Sequence, residues 1–314
     1  MSAASSRVQQ ITNFVNILHI DTGTEMRGGQ HQVLLLIHAL AREGQENLLL
    51  GRPGSPLFHT AAAEGIATRA ADLSGIWRFS SRFDIVHVHD ARAHTAAAIA
   101  SRTPFVVSRR VAFPVRRGLL SRWKYARAAR FLAVSKFAAS QLIAAGIPTE
   151  RIDVVYDAVG PATPAEWSGD APAVALASRD PGKGRDLIEQ ASSFTVVPVH
   201  FSNDLTRDLR RASMFVYITR SEGLGSAALL AMAMGIPVVA SRTGGLAEVF
   251  EHGVSGLYTD NDPKAIASAI TELSSNRDLA TRIIAGGKRR VADLFSIERL
   301  VKGTLASYEK ALRG

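Results

Sequence analysis

The feature that most constrains this chain is an alternation of short apolar runs and helical segments that is interrupted once and then resumes. Residues 13–20 (NFVNILHI) read as a buried strand. After Gly28-Gly29, the residues Val33, Leu34, Ile37, His38 and Leu40 recur at helical spacing up to Gly44, a helix stop. Strand runs follow at 48–50, 83–89 (FDIVHVH), 104–108 (PFVVS), 131–135 (FLAVS) and 152–156, with helices over 91–100 and 137–145. Residues 160–172 (GPATPAEWSGDAP) are Pro/Gly-rich and aperiodic, and form the linker. Beyond it, strand runs occupy 173–177, 194–199, 214–218 and 237–241. Helices are expected from 185, over 204–211 and 226–234, and through a tail of 263–273, 278–295 and 296–313. Strands separated by helices make parallel βαβ units, so the expected fold class is α/β, with two Rossmann-like, doubly wound halves.

At 314 residues, two domains is the natural count. Apolar content of 46% and charged content of 21% describe a soluble globular chain and exclude a disordered or fibrous one. With no cysteine, a thiolate metal site, a cysteine nucleophile and a disulfide are all excluded, which fits a reducing compartment. The net charge of +9 is concentrated: residues 1–160 hold 19 Lys/Arg against 11 Asp/Glu, the remainder 18 against 17. Such asymmetry points to an anionic partner: nucleic acid, a membrane surface or a phosphorylated substrate. The N-terminal MSAASSRVQQ lacks the apolar core of a secretory signal. The longest nearly apolar run, 226–241, is too short to span a bilayer and is broken by Gly235-Ile236-Pro237. The expectation is a cytoplasmic protein able to lie on the inner face of the membrane.

Several motifs carry chemistry. Gly223-Leu224-Gly225-Ser226-Ala227-Ala228 follows a strand and opens a helix, as a dinucleotide fingerprint does. With Arg242 after the next strand, it leaves an NADP-dependent oxidoreductase as an alternative. Arg179-Asp180-Pro181-Gly182-Lys183-Gly184 sets two cations in a Gly-rich strand-to-helix loop, suited to a diphosphate or else a solvated turn; it is not a Walker A loop. Gly28-Gly29 lets a ligand phosphate approach the backbone, or is an ordinary tight turn. His87 and His89 point to one face of their strand, and His89 with Asp90 ends it, where open α/β sheets bind ligands. They suit structural or substrate-binding roles better than a zinc pair, because no third ligand has helpful spacing. Between Arg109 and Arg130 lie eight cations and no acid, interleaved with Phe113, Leu119, Leu120, Trp123 and Tyr125. This segment is a solvated face, a membrane contact or, least of all, a nucleic-acid grip.

Taken together, the chain resembles the GT-B glycosyltransferases, specifically the retaining family 4 group (glycosyl transferases group 1). The resemblance is carried in order by Gly28-Gly29, FDIVHVH, FLAVSKFAASQLIAAGIPTERIDVVYDAV, RDPGKG, VHF, SEGLGSAALLAMAMGIPVVASRTGG, Glu248 and HGVSGLY. It implies an acceptor-side domain over 1–160 with a crossover helix at 296–314, a donor domain over 161–295, and a cleft between them. It implies a retaining transfer from a nucleotide-diphosphate sugar to a cell-envelope glycan or glycolipid such as lipopolysaccharide core. It assigns Glu222, Lys183 and Arg179 to catalysis, and Gly28, Gly29, Gly223, Leu224, Gly225, Ser226 and His200 to the donor. Acceptor or phosphate contacts fall to His89, Asp90, Arg109 and Arg110. Family members generally need no metal, so no metal or cofactor is expected.

Three positions depart from the family pattern. The second acid of its E-x7-E motif is Leu230, so ribose recognition is altered or the protein is a sugar-nucleotide binder without turnover. The histidine that usually follows the fourth strand is Arg110, which cannot act as a base near neutrality. The short stretch from Lys183 to Val199 implies a trimmed donor domain.

Overall fold

A computed structural model describes residues 14–115 and 118–313. The N-terminal segment, Asn13 of the first strand run, Arg116, Arg117 and Gly314 lie outside the described residues. The first half comprises β1 (Asn16–Asp21), α1 (Gly28–Arg42), β2 (Glu46–Gly51), α2 (Pro56–Ala63), β3 (Thr68–Ala70), α3 (Leu73–Ser80) and β4 (Ile85–Val88). It continues with α4 (Ala91–Ala100), β5 (Phe105–Arg109), α5 (Leu119–Arg127), β6 (Arg130–Ala133), α6 (Lys136–Ala144) and β7 (Ile152–Val154). The second half holds β8 (Ala173–Leu176), α7 (Arg185–Ala191), β9 (Val199–Ser202), α8 (Leu205–Leu209), β10 (Met214–Tyr217) and α9 (Ser226–Met234). Then come β11 (Val238–Ser241), β12 (Leu257–Thr259), α10 (Pro263–Ser275), α11 (Arg277–Leu294) and α12 (Ile297–Arg313).

Both sheets are parallel throughout. The first runs β3-β2-β1-β4-β5-β6-β7 and the second β12-β11-β10-β8-β9. Strand order reverses between β1 and β4 in one and between β10 and β8 in the other. At such switch points the loops leaving the strands diverge and open a crevice.

One expected strand is displaced. The apolar run 194–199 pairs only from Val199, where β9 begins and registers with Ala173 of β8. Pro198 has no N–H for a ladder, and Val196 is left 95% exposed. Five elements had no periodic signal: α2, β3 and α3, which sit between β2 and β4, α5, and the three-residue β12.

Helix α12 returns from the second half to pack on the first sheet, against α1, β5, β6 and β7. Its Leu300, Val301, Thr304, Tyr308 and Ala311 are buried at helical spacing. They cover Ile17, Ile85, Val106 and Leu132, one face of the central strands. Asp153 on β7 ties the helix down, accepting from Ser307 Oγ (2.8 Å) and Lys310 Nζ (2.7 Å) of α12 and from Arg130 Nε (2.7 Å). Burial pushes this carboxyl up, but the bonds from Arg130, Lys310 and Ser307 outweigh it and hold it below the ordinary value. A depressed folded value stabilises above the unfolded carboxyl range and is lost as pH falls through it. Asp153→Asn is therefore expected to lower Tm more near neutrality than at about pH 3. An equal Tm loss at both would refute the charge argument.

Candidate functional site

The two switch points face each other across a cleft of about 660 Å³. From the first sheet, Gly28 and Gly29 begin α1 at one wall, with Arg27, Arg110 and Asp157 beside them. From the second, the loop after β8 brings Ser178, Arg179 and Lys183, and β10 with its loop brings Tyr217, Glu222 and Gly225. Ser226, the first residue of α9, completes that wall. A side-chain carbon added at Gly28 would stand 2.8 Å from Ser226 Oγ, so the N-termini of α1 and α9 meet at one place. Two helix N-termini offer unpaired N–H groups and two positive dipole ends to one ligand, the environment of a phosphate. Gly225 gives α9 its entry at φ +112°, where a side chain would also meet Leu246.

Within this cleft, Lys183 Nζ lies 2.6 Å from Glu222 Oε2, which also accepts from the Tyr217 hydroxyl. Burial and the Glu222 charge push the Tyr217 phenol well up, so it stays protonated and donates. Glu222 Oε1 accepts from the Gly223 N–H at 3.1 Å. The ammonium of Lys183 keeps capacity for an anion, and Arg179, exposed at the rim, has no ion-pair partner among the described residues. The arrangement is a positively lined throat around one oriented carboxylate.

The remaining sequence candidates divide. Leu224 is buried in the cleft floor, and Gly223 packs beneath the Arg110 backbone. His200 is not brought to the cleft: β9 is an edge strand, and the ring faces Asp208 on α8 at 3.3 Å. Asp90 caps α4 through the N–H groups of Arg92 and Ala93 and takes both the N–H and hydroxyl of Thr22, so its acceptor capacity is spent inside the fold. Arg109 donates to the Phe113 carbonyl away from the cleft. His89 lies behind Arg110, 7% exposed.

A third histidine does join His87 and His89. The β1–β4 register sets His19 opposite His87, and one ring nitrogen from each of the three lies within 4.8 Å of the others. Sequence spacing could not show this, because the partner sits on a neighbouring strand. Asp157 and Tyr217 were also missed; each is marked only by its place at the C-terminal end of a strand or just past it.

Most of the described cations of the segment 109–130 are bonded within the fold. Lys124 bonds to the Ala91 carbonyl and Thr95 hydroxyl, Arg127 to the carbonyls of Ala98 and Ser101, Arg130 to Asp153 and Arg110 to Asp157. Tyr125 stacks on Phe131. Phe113, Leu119, Leu120 and Trp123 face outward, 43–85% exposed, beside the exposed Arg122 and Arg127. No helix among the described residues is long and apolar enough to cross a membrane.

Two facing Rossmann-like sheets with a crossover helix and a phosphate-suited cleft define the GT-B class of architecture. The Glycosyltransferase Family 4 pattern matches residues 20–162 and the Glycosyl transferases group 1 pattern residues 140–276, so the chain carries a domain of each of these glycosyltransferase families. A D-inositol 3-phosphate glycosyltransferase of Geodermatophilus obscurus is 38% identical over 36% of this chain and 24% of its own length. The curated relatives it matches are covered over only about a fifth to a third of their length. Among solved structures, the Anabaena protein HepE in complex with UDP-glucose superposes with a TM-score of 0.80 at 17% identity, covering 93% of this chain and 100% of that one. The apo lipopolysaccharide outer core galactosyltransferase WaaB superposes with a TM-score of 0.65 at 16% identity, covering 93% and 99%. These two likenesses show the fold. The fingerprint-like stretch 223–228 opens the third strand–helix unit of its sheet, and Arg242 lies over the Tyr258 ring outside the cleft lining, so the oxidoreductase reading finds no dinucleotide geometry here.

Proposed function

We propose that this chain transfers a sugar, with retention, from a nucleotide-diphosphate sugar to a hydroxyl of a cell-envelope glycan or glycolipid such as lipopolysaccharide core. The observation that carries the reading is the meeting of two helix N-termini, Arg179 and Lys183 around Glu222 in one cleft. HepE, which shares the fold, was solved in complex with UDP-glucose, which supports a nucleotide sugar as the donor. The donor diphosphate lies between the starts of α1 and α9, with Arg179 and Lys183 neutralising it. The acceptor oxygen attacks the anomeric carbon from the face of the leaving group. The bond from that carbon to the phosphate oxygen breaks, the diphosphate leaves with the electron pair, and the acceptor proton passes to the departing phosphate oxygen. The cations supply the charge stabilisation that such a step needs without a metal. Glu222, oriented by Lys183 and Tyr217, binds a hydroxyl of the donor sugar. The exposed apolar residues of 113–123 rest the protein on the cytoplasmic face of the membrane, near a lipid-linked acceptor.

The test is transfer from a panel of nucleotide sugars to a lipid-linked acceptor, with the anomer of the product read by NMR. No transfer and no donor hydrolysis across the panel would sink the proposal. A second reading, a nucleotide-sugar binder without turnover, is favoured by Leu230, which packs on the core and does not line the cleft. Tight nucleoside-diphosphate binding by calorimetry without turnover would select it.

A further inference from the structure

Two of the three buried histidines, His89 and His19, form a hydrogen-bond chain that runs in one direction. Arg110 Nη1 lies 3.2 Å from His89 Nδ1. A guanidinium can only donate, so this nitrogen of His89 is bare and the ring carries its proton on Nε2. That proton points at His19 Nδ1, 3.0 Å away, which must accept it. His19 therefore carries its own proton on Nε2 and donates to Asn47 Oδ1 at 2.9 Å. Asn47 closes the chain by donating to the Gln45 carbonyl at 2.8 Å. His87 backs the group through the Tyr308 hydroxyl (2.7 Å) and Ser108 hydroxyl (2.8 Å). On its other edge Arg110 donates from Nε to Asp157 Oδ1 at 2.9 Å.

Every member behind Arg110 is placed by the sheet. His19 and His87 are fully buried, on adjacent registered strands, under α12. Arg110 lines the cleft beside Gly29, with Asp157 next to it, and its Nη2 has no hydrogen-bond partner among the described residues. Burial, reinforced by the Arg110 charge, lowers His19 to about 4 and His89 well below its usual value, so both rings are neutral near neutrality.

We propose that His89 and His19 are positioning residues that lock Arg110 at the cleft wall, and that its open Nη2 reads an anionic oxygen on the substrate, a carboxylate or a phosphate. The cluster is thus a relay of fixed tautomers and not a metal cage: each ring nitrogen is already matched, and a permanent cation stands 3.2 Å from one of them. A charge-assisted bond from a preorganised guanidinium is about twice as strong as a neutral one, so an anionic group gains more here than a hydroxyl does. Two sources share that chemistry: a uronate carboxylate on the transferred sugar and a phosphate on the acceptor. The inference rests on the reading of the cleft as the donor site.

The test pairs substrates that differ in one group: a nucleotide-diphosphate hexuronate against the matching hexose, and a phosphorylated acceptor against its unphosphorylated form. His89→Leu removes the acceptor for Arg110, and His89→Asn keeps an oxygen near the position of Nδ1. The expected result is a roughly ten-fold rise in KM or Kd for one anionic substrate with His89→Leu, the order of a lost charge-assisted hydrogen bond, with recovery in His89→Asn. The neutral analogue should change little, and the affected pair identifies the source. Equal weakening of charged and neutral partners, or no recovery, would overturn the proposal. Histidine 15N NMR of the wild-type protein should show Nδ1 bare in both rings; protonated rings, or stoichiometric Co2+ binding with a tetrahedral spectrum, would also overturn it. That measurement stands even where a variant fails to fold. Calorimetry with the nucleoside diphosphate alone separates the two levels: no binding at all removes the donor-site reading itself.

Discussion

Lys183→Ala is expected to lower transfer by roughly a hundred- to a thousand-fold, the loss typical of removing one group that stabilises developing negative charge. The lysine has two neighbours in the cleft, Glu222 at 2.6 Å and the Tyr217 hydroxyl at 3.4 Å, and it is the cation that faces both the carboxylate and the diphosphate space. Its side chain is 28% exposed at the end of a short turn, so no core is opened by truncation. Tm should therefore stay close to wild type, which separates a catalytic loss from unfolding. Glu222→Gln keeps the shape and the Tyr217 bond but removes the charge that orients the ammonium, and should be similarly damaging. Because the two side chains act as one unit, the double variant should lose little beyond either single. The measurement is steady-state transfer beside a melting curve. Wild-type-like turnover in either single variant would refute the assignment, and multiplicative losses in the double would refute the coupling.

The same geometry explains what was readable in one dimension. Arg179–Lys183 and Glu222–Ser226 are contiguous loops, each leaving the C-terminal end of a strand that flanks a switch point, so their place in the cleft follows from the alternation of strands and helices. Gly28-Gly29 after β1 follows the same logic. Contacts that depend on register or on the meeting of the two halves are silent in sequence. His19 reaches His87 only through the β1–β4 pairing. Arg110 finds Asp157 across β6, and Glu248 reaches over to accept from the N–H groups of Lys136 and Phe137 at the start of α6. The arginine-aromatic segment was legible only in its charge, for a related reason. A charge count shows the sign of a segment but not direction, and Lys124, Arg127 and Arg130 turn their charges into carbonyls and Asp153. His200 misled because the VHF tripeptide carries no information on which strand ends at the sheet edge.

Gly245→Ala should be the most damaging small substitution outside the charged pair. Gly245 sits buried in the turn Gly244–Glu248, and its N–H donates to the Glu222 carbonyl at 2.9 Å. A methyl carbon there would lie 1.8 Å from the Gly223 carbonyl oxygen and 2.7 Å from Ser135 Oγ. Neither can yield alone: Ser135 donates to that same carbonyl at 2.7 Å while capping α6, so the contact joins the two halves of the protein. Forcing the methyl in must push the 222–223 backbone, and with it Glu222, out of the cleft, or part the halves. Overpacking of this kind costs about 1–3 kcal/mol or more, and transfer should fall well beyond what that loss of stability explains. Gly253→Ala is the control. Gly253 has φ +72° but nothing within 4 Å of an added carbon, so it suffers the backbone penalty of about 1 kcal/mol without a collision. The expected result is near-normal transfer for Gly253→Ala, and for Gly245→Ala a lowered Tm, lost transfer and a larger radius of gyration by small-angle scattering. Normal transfer in Gly245→Ala would show that the 222–223 loop and the Ser135 contact can move apart without disturbing the site, and the closed junction would then have no part in holding Glu222.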